Sequence, residues 1–451
     1  DAAGGFTAIA NHTRTATSSF DDFIEAAGDV AHTLYATPAL ATRHDAVRLD
    51  TGTPMFMRAP GEASGSIALE SAVDEMAIAC GMDPLAFRLK NYAEVEPASG
   101  KPFSSKALRD CYAQGAARFG WAGRPLQPRH MRDADGLLVG WGMGTATFPA
   151  MMMAGHARAT LRADGTGLVE TGAHDMGQGA WTALAQVAAD GLGLGLEQLE
   201  FRSGSSDLPD AGIAGGSAHM ATVSAAIDGA GAAAIAKLAA LAMGDARSPL
   251  HGAGNVGIVA RQGRLHRRDD EGRSESFAEI LRRAGLAELS ADGSGAADPA
   301  AQEAYAMHAH GAVFVEVKVD PDFGQIRATR LVGAFAAGRV INPRMVRSQY
   351  YGGMIWGVSF ALHEQAVTDR RTGRIMNANL AEYLVPVNAD VPSLEAILVE
   401  EHDPHVNALG IKGVGEIAIT GTAAAVANAV WHATGVRVRR FPVAMEALIE
   451  A

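Results

Sequence analysis

The sequence predicts an α+β fold in which mixed sheets pack against helices. Two regions, near 157–161 and over 313–332, alternate apolar and polar residues around turn sequences, a pattern typical of β-hairpins. Two other regions, 69–80 and 423–434, repeat apolar residues at helical spacing. With 451 residues, 48% of them hydrophobic and 20% charged, the chain is long enough to bury a large core.

Composition argues against several classes of protein. The formal net charge of -12 is unsuited to a nucleic-acid backbone as the main partner. No apolar run approaches the roughly 20 residues that span a bilayer. The longest candidate, Gly229 to Met243, is interrupted by Lys237, so we expect no membrane span. Two cysteines, Cys80 and Cys111, cannot ligate a four-thiolate iron–sulfur cluster, so any such cluster must lie on another chain.

The domain division is predicted from a weakly periodic stretch. Residues 97–136 are rich in polar residues, proline and glycine, which is typical of a boundary. We therefore expect a first domain over 1–125 and a second over 126–451. The chain opens with Asp1 rather than Met, and its first residues resemble a turn that enters a strand, so we expect a piece of a longer protein.

In the first domain, the informative stretch is the loop over 51–62, which carries Arg58 among apolar residues. Upstream of it, the sequence from Ser18 to Asp22 is interpreted as a helix entry. Downstream, a helix should end at Gly81. A lone arginine most often donates to nearby carbonyl groups, yet a loop before a helix N-terminus is also a good place to meet an anion.

Two glycine loops in the second domain precede predicted helices. Behind the first hairpin, the chain continues into Gly177, Gln178 and Gly179. A second small-residue loop carries Gly216 and Ser217 ahead of an alanine-rich helix. Bare backbone N–H groups at a helix start suit a phosphate or pyrophosphate, although either loop could merely turn the chain.

A further glycine loop, Gly413-Val414-Gly415, leads to a carboxylate, Glu416, ahead of an apolar helix. Thr420 or Thr422 can cap this helix, and Gly435 can end it. Glycines leave the backbone bare, so that a ligand can come close. Glu416 is therefore either a general base or an ordinary solvated acid in a turn, and the segment alone does not distinguish the two.

The remaining motifs carry less chemistry. Residues 252–257 match the GxGxxG dinucleotide pattern, but no clear strand precedes them and no helix evidently follows, so we reject the match. They lie in a polar stretch, 243–305, interpreted as a surface excursion around a helix over 277–287. Histidine pairs at 308/310 and 402/405 lack a third ligand, and we interpret them as surface or structural residues.

Taken together and in this order, the loops resemble one family. The series comprises Arg58-Ala59-Pro60-Gly61, Met176-Gly177-Gln178-Gly179, Ala214-Gly215-Gly216-Ser217, Gln349 with Gly352-Gly353 on a predicted helix, and Gly413-Val414-Gly415-Glu416. It is similar to the molybdopterin-binding large subunit of the xanthine oxidase/aldehyde oxidoreductase family, the molybdenum hydroxylases. The stretches 380–383, 386–392 and 402–407 resemble the bacterial three-subunit aldehyde oxidoreductases in particular. The resemblance covers essentially the whole chain and implies the two-part cofactor-binding fold of that family.

The resemblance also implies a role for each loop. By this resemblance, Glu416 would be the base that deprotonates the oxygen nucleophile at molybdenum, and Arg58 would hold or polarise the substrate oxygen. The pterin dithiolene holds the metal, so no protein side chain ligates it. The residues expected to contact the cofactor are Gly177, Gln178, Gly179, Gly216, Ser217, Gln349, Gly413, Val414 and Gly415.

The implied cofactor is molybdopterin in its cytosine dinucleotide form. Electrons leave through [2Fe–2S] clusters on a small subunit and reach FAD on a third subunit, which makes the assembly a heterotrimer. The implied reaction oxidises an aldehyde, preferably an aromatic one, to the carboxylic acid with water as the oxygen source. Two alternatives stay open: hydroxylation of a quinoline- or purine-like N-heterocycle by the same site, and a non-catalytic cofactor-binding subunit. The compartment is also open, either the cytoplasm or the periplasm with a leader-bearing partner.

Three departures from the family pattern are visible. Met220 stands where relatives often have a hydroxyl residue, and Tyr350-Tyr351 replaces a common Ile-Glu. The loop with glycine and phenylalanine that the family places over the cofactor is expected to precede Asp1. We therefore expect this chain alone to form an incomplete site.

Overall fold

The structure is a computed structural model that describes residue 1 and residues 3–254 and 257–449. The first predicted helix begins at the glutamate after the 51–61 loop and ends before Gly81, as expected. The helices are α1 (Glu62–Ala79), α2 (Pro84–Lys90), α3 (Leu108–Phe119), α4 (Ala180–Leu192), α5 (His219–Gly244), α6 (Phe277–Arg283), α7 (Pro299–Ala304), α8 (Pro343–Leu362), α9 (Thr422–Thr434) and α10 (Glu446–Ile449).

The strands form two four-stranded sheets, one three-stranded sheet and one parallel pair in the described residues. The strand orders are β13-β12-β11-β3, β10-β4-β5-β6, β7-β8-β9 and β1-β2. The strands are β1 (Ile9–Ser18), β2 (Leu40–Leu49), β3 (Leu138–Pro149), β4 (Gly155–Arg162), β5 (Gly167–Glu170), β6 (Leu199–Arg202), β7 (Ile258–Arg261), β8 (Arg264–Arg267), β9 (Ser274–Ser276), β10 (Glu288–Gly295), β11 (His308–Val319), β12 (Ile326–Ala336) and β13 (Leu394–Leu398).

The central sheet, β13-β12-β11-β3, carries the largest core. β11 pairs antiparallel with both β12 and β3, so the hairpin predicted over 313–332 is confirmed. Glycines let α9 lie directly on β3. An added Cβ at Gly140 would lie 1.9 Å from the Ala429 carbonyl oxygen, and one at Gly142 would lie 2.2 Å from that of Ala425. This contact fixes the helix that follows the Glu416 loop.

The second sheet, β10-β4-β5-β6, packs against α4 and α5. β4 and β5 pair antiparallel, which confirms the hairpin predicted near 157–161. Among the described residues, α5 is the one helix long and apolar enough to cross a bilayer. It packs on α4, β4 and β10 and contributes Val223, Ile227 and Leu238 to the core. A core helix of a globular domain has the same length and composition, so this feature is weak evidence for a membrane span.

A buried ion pair joins α1 and α2 to the central sheet. The side chains of Glu70 and Arg88 are fully buried and 2.9 Å apart. Glu70 Oε2 also accepts a 2.8 Å hydrogen bond from the Thr145 backbone N–H of β3, and Tyr35 donates to the same carboxylate. Loss of one partner from such a pair costs about 3–5 kcal/mol, because a buried charge is left uncompensated. α1, which follows the Arg58 loop, is therefore held firmly.

The helix entry predicted at Ser18–Asp22 is wrong. β1 continues to Ser18 and pairs in parallel with β2 along its whole length, and this long-range pairing makes the segment a strand. The chain then turns, and the hydroxyl groups of Thr17 and Ser18 both donate to the Asp21 carbonyl. Hydrogen bonds of this kind from side chain to backbone compete with helix formation.

The predicted threonine cap of α9 is also wrong. Its N-cap is Gly421, which makes no side-chain hydrogen bond, and the hydroxyls of Thr420 and Thr422 donate to carbonyls about one turn earlier. Gly435 ends the helix in the left-handed region, at φ 80°, as predicted.

Two polar stretches contain more structure than predicted. The stretch 97–136 includes α3, whose Phe119 ring packs 5.8 Å from Phe314 of the central sheet. The stretch 243–305 contains β10, an edge strand of the second sheet, and α6, which ends at Arg283 instead of 287. Only two residues of β10, Ala291 and Gly295, are buried, so its apolar pattern is weak, whereas α3 buries residues at helical spacing that we did not recognise in the sequence. The rejected motif at 252–257 includes two residues outside the described part of the chain.

Candidate active site

A cavity of about 860 Å³ lies where loops from both ends of the chain meet. Cofactor and ligand pockets commonly have volumes of roughly 300–1,000 Å³. All of the predicted site residues line it except Gly177. The residues that line it come from the segments 56–62, 148–153, 176–183, 213–220, 339–356 and 411–416.

Two hydrogen bonds hold the Glu416 carboxylate. Its Oε1 accepts from the Ala59 backbone N–H at 3.0 Å, and its Oε2 accepts from the Ser217 hydroxyl at 2.7 Å. Both donor residues have positive φ, 55° in each case, although neither is glycine. This conformation costs an L-residue roughly 1–2 kcal/mol. Strained backbone on both sides therefore aims one donor at each carboxylate oxygen.

Arg58 is another charged residue of the cavity. Its Nε donates to the Gly415 carbonyl at 2.6 Å, and its Nη2 donates to the Gln349 carbonyl at 2.8 Å. Burial lowers the pKa of Arg58, and the nearby Glu416 charge opposes that shift. Nη1 makes no hydrogen bond with the described residues, and an ideal Cβ on Gly352 would lie 3.4 Å from it. The guanidinium is thus fixed on one side and available to a ligand on the other.

The glycine loop before Glu416 packs against Ser217. A Cβ at Gly413 would lie 2.1 Å from the Ser217 carbonyl oxygen, so no other residue fits there without a shift. At Gly415, a Cβ would lie 3.4 Å from Ser217 Oγ and 3.7 Å from Gln349 Oε1. We expected both glycines to leave room for the cofactor, and the structure shows that Gly413 first leaves room for the Ser217 loop.

Lys412 anchors the same loop through buried ion pairs and hydrogen bonds. Its side chain is fully buried, and its Nζ lies 3.1 Å from Glu401 and 3.2 Å from Asp403. It also donates to Ser105 Oγ at 2.6 Å and to the His308 carbonyl at 2.9 Å. This buried network ties the Glu416 loop to the start of β11 and to the segment ahead of α3.

The loop before α4 is closed by its own side chains. Asp175 Oδ1 accepts from the backbone N–H groups of Gly177 at 2.8 Å and Gly179 at 3.2 Å, and Oδ2 accepts from Trp181 N–H at 3.3 Å. The Gln178 amide donates to the His174 carbonyl at 3.3 Å. The bare N–H groups predicted at Gly177 and Gly179 are therefore already engaged, and a ligand meets Gln178 and the Cα of Gly179 instead.

The sequence did not single out several residues of the cavity wall. Glu62 lines the cavity at the start of α1. Burial, with the nearby charge of Glu416 and smaller contributions from Asp29 and Glu25, raises its pKa to about 7. His219, at the start of α5, also lines the cavity. The one sequence signal for Glu62 was its position directly after the Arg58-Ala59-Pro60-Gly61 turn, which places this acid at the start of a helix.

One histidine of each pair contacts a charged or aromatic side chain. His308 lies 3.2 Å from Glu96, and His405 stacks on Tyr305 with ring centroids 4.1 Å apart. Within the described residues, no group of three or more His, Cys, Asp or Glu side chains converges in a geometry that would hold a metal ion. His310 is buried and packs against Phe103 with ring centroids 5.3 Å apart, and His402 is exposed.

Comparison with known proteins identifies the family to which this chain belongs. A sequence profile of the molybdopterin cofactor-binding domain matches residues 114–392, which is more than half of the chain. The chain belongs to the molybdopterin cofactor-binding family. A second molybdopterin cofactor-binding domain profile matches residues 2–92, so the two-part α+β fold of the molybdenum hydroxylases is confirmed. The division that we predicted between residues 125 and 126 stays a prediction.

Individual relatives span different substrate classes. The aldehyde oxidoreductase molybdenum-binding subunit PaoC of Escherichia coli (strain K12) is 36% identical over 415 residues, 91% of this chain and 54% of PaoC. The putative xanthine dehydrogenase molybdenum-binding subunit XdhA of the same strain is 29% identical over 434 residues, 92% of this chain and 56% of XdhA. This chain therefore spans about half the length of these curated relatives.

Solved structures agree on the fold. Quinoline 2-oxidoreductase from Pseudomonas putida 86 superimposes with a TM-score of 0.86 at 23% identity, over 100% of this chain and 61% of that chain. The aldehyde oxidoreductase from Desulfovibrio gigas superimposes with a TM-score of 0.80 at 22% identity, over 100% of this chain and 48% of that chain. At these identities, the likeness establishes the architecture and not the substrate.

Independently of these comparisons, the size and lining of the cavity suit a molybdopterin cofactor. Its volume is that of a cofactor site. Arg58 Nη1, in its wall, makes no hydrogen bond with the described residues and can donate to a ligand. The glycine loops 213–216 and 413–415 border the same space, where the lack of side chains lets a ligand approach the backbone.

Proposed function

We propose that this chain forms the cofactor-binding part of a molybdenum hydroxylase that oxidises an aldehyde, preferably an aromatic one, to the carboxylic acid. The observation that carries the proposal is the pairing of Glu416 and Arg58 across one cavity. The carboxylate is held by two donors, and the guanidinium is held by two carbonyls with one edge free. A positioned base beside a positioned cation suits attack of an oxygen nucleophile on a carbonyl carbon.

The reaction balances as an aldehyde plus water giving a carboxylic acid, two protons and two electrons. When bound, molybdopterin supplies the metal that accepts the two electrons. Glu416 receives the proton of the water-derived nucleophile on one of its carboxylate oxygens. Arg58 donates from Nη1 to the aldehyde oxygen, where negative charge develops as the carbon is attacked. The Ser217 hydroxyl and the Ala59 N–H hold the Glu416 carboxylate in place while the proton moves.

The cavity wall supports an aromatic substrate. Several of the side chains that line it are aromatic rings and flexible thioethers, which adapt to flat apolar groups. Trp356 lies 6.0 Å from the Arg58 guanidinium carbon, so one ring already borders the position proposed for the carbonyl. The apolar residues concerned are Phe56, Met57, Phe148, Met151, Met153, Met345 and Trp356.

A second candidate substrate is an N-heterocycle. Glu62 lines the cavity, and burial raises its pKa to about 7, so a large fraction of this carboxyl is protonated at neutral pH. A neutral carboxyl donates a hydrogen bond to a ring nitrogen of a quinoline- or purine-like substrate.

The partners follow from the proposed reaction. Two electrons must leave the cavity after each turnover, and this chain has two cysteines, fewer than one four-thiolate cluster needs. We infer a small subunit with [2Fe–2S] clusters and a third subunit with FAD. Molybdopterin in its cytosine dinucleotide form is the proposed cofactor.

The experiment is a substrate panel on the purified intact complex with an artificial electron acceptor. Benzaldehyde-type aldehydes, aliphatic aldehydes, quinoline and hypoxanthine are compared by kcat/KM, with molybdenum measured in the same samples. We expect aromatic aldehydes to exceed the others by at least about tenfold, a difference of roughly 1.4 kcal/mol. Faster turnover of heterocycles would favour the second candidate. Bound molybdenum without any turnover would support a non-catalytic subunit.

A further inference from the structure

One face of α8 borders the Arg58 guanidinium. Arg58 Nη2 donates to the Gln349 carbonyl at 2.8 Å, and an ideal Cβ on Gly352 would lie 3.4 Å from Nη1. The Trp356 ring follows one turn later, and its centroid lies 6.0 Å from the guanidinium carbon. Residues three and four apart share a helix face, so α8 places the Trp356 ring next to Arg58. Both of these side chains line the cavity.

A hydrogen bond from beyond the end of α8 fixes the Trp356 ring. Trp356 Nε1 donates to Glu364 Oε2 at 3.0 Å. The Glu364 backbone N–H donates in turn to the Ser359 carbonyl of α8 at 2.9 Å, which ties Glu364 to the helix that carries the tryptophan. An indole has a single N–H donor, so engaging it selects one orientation of the ring. Glu364 itself does not line the cavity, so it acts on a ligand through the indole.

An indole ring held beside the group that binds the substrate oxygen can discriminate between substrates. Aromatic rings make offset-stacked or edge-to-face contacts with each other, with centroids roughly 4.5–7 Å apart, and a saturated ring of the same size gains neither contact. A ring that is free to rotate makes these contacts for only part of the time. The hydrogen bond to Glu364 therefore bears directly on the selectivity of the cavity.

We infer that Trp356 selects aromatic over saturated substrates, and that Glu364 is a positioning residue that fixes the Trp356 ring for this contact. An aldehyde whose oxygen accepts from Arg58 lays its aryl group against the indole. This inference rests on the proposed function, because the substrate is held by Arg58 as proposed there. It adds the pair of residues that sets the aromatic preference.

Trp141, outside the cavity, provides a matched control. Its Nε1 donates to Glu316 Oε2 at 2.8 Å, and its ring centroid lies 5.6 Å from the Arg330 guanidinium carbon. Trp141 and Trp356 are both half-buried, but Trp141 does not line the cavity. The same substitution at the two tryptophans therefore separates a contact with the substrate from a general loss of stability.

The test compares two aldehydes of similar size on the intact complex, benzaldehyde and cyclohexanecarbaldehyde, of which only the first is flat and aromatic. Their kcat and KM are measured with an artificial electron acceptor. The Kd values of benzamide and cyclohexanecarboxamide, which lack the aldehyde hydrogen, are measured by calorimetry, so that binding is observed without turnover. Molybdenum content and Tm are recorded for every variant.

We expect Trp356→Leu to lower the preference for the aromatic compound by about tenfold, through KM and Kd, with kcat within about twofold of wild type. Trp356→Phe and Glu364→Ala keep a ring but lose its hydrogen bond, so each should lower the preference by about threefold, and the double variant should lower it no further. Glu364→Gln, which keeps an acceptor, and Trp141→Leu should show the wild-type preference.

An unchanged preference in Trp356→Leu or Glu364→Ala, an equal change in Trp141→Leu, or additive effects in the double variant would overturn the inference. If Trp356→Leu does not assemble, Trp356→Phe and Glu364→Ala decide between the same outcomes. A wild-type complex that binds benzamide but oxidises neither aldehyde would refute the proposed function, and the Kd values of the two amides would still test the Trp356 contact.

Discussion

The Ser217 hydroxyl donates a 2.7 Å hydrogen bond to Glu416 Oε2, across 199 positions of sequence. Ser217 reaches this position because its backbone adopts a φ of 55°, and Gly413 has no side chain where the two loops cross. The carboxylate is therefore oriented by a second loop that is itself strained. Strain of this kind persists where the surrounding structure supports it, and it is concentrated at functional sites.

Ser217→Ala should impair catalysis without loss of the cofactor. The variant keeps the backbone but removes one of the two donors that orient Glu416, so we expect kcat to fall by about tenfold to a hundredfold with little change in KM. Steady-state kinetics and molybdenum content on the intact complex provide the check. Ser205→Ala, at an exposed serine, is the control. Molybdenum lost in parallel with kcat would show that Ser217 acts on cofactor binding instead.

Glu416→Ala should abolish nearly all turnover while the metal stays bound. A positioned general base typically contributes about 10²–10⁴ in rate, and no second carboxylate is held by the same donors. Glu416→Gln keeps the shape and an acceptor oxygen, and it should be equally slow. Rates close to wild type in either variant would refute the assignment of Glu416 as the base.

Arg58→Lys tests whether the planar guanidinium, with several N–H donors, is required at this position. A lysine ammonium cannot hold the Gly415 and Gln349 carbonyls together and still donate to a substrate. We expect kcat/KM to fall about a hundredfold across an aldehyde panel for both Arg58→Lys and Arg58→Ala. Arg43→Lys, at an exposed arginine, should leave the panel unchanged. An unaltered kcat/KM in the Arg58 variants would count against a role at the substrate oxygen.

Glu62→Gln should change the pH dependence of stability. Burial, with the charges of Glu416, Asp29 and Glu25, raises the folded-state pKa of Glu62 from 4.5 to about 7. Between these values the folded state binds more protons than the unfolded state, so the carboxyl reduces stability as pH rises through that window. The variant lacks this effect. Its Tm should match wild type near pH 4 and exceed it by about 2–4 °C at pH 8.

Thermal unfolding across pH 4–8 provides the measurement for Glu62. Glu197→Gln, which removes an exposed carboxylate, is the control and should follow the wild-type profile. A Glu62→Gln profile parallel to wild type at every pH would mean that the carboxyl titrates normally in the folded protein.

The elements predicted correctly were those with strong local signals. The 313–332 hairpin and α9 have long runs at strand or helix spacing, and Gly435 ends α9 because left-handed backbone favours glycine. The errors came where long-range pairing overrode local patterns. The Ser18 segment is a strand because it pairs with β2. β10 is a strand because it pairs with β4, which lies about 130 residues earlier in the chain.

The sequence by itself determined the family, the order of the site loops and the identity of Glu416 and Arg58, two of the charged residues in the cavity. Those signals are local, since each motif is a short run of glycine, charge and helix start. Tertiary structure alone decided which donor serves which group. The Ala59 N–H and the Ser217 hydroxyl serve Glu416, and Arg58 serves the carbonyls of Gly415 and Gln349. Hydrogen bonds between residues far apart in sequence depend on packing, which no local pattern encodes.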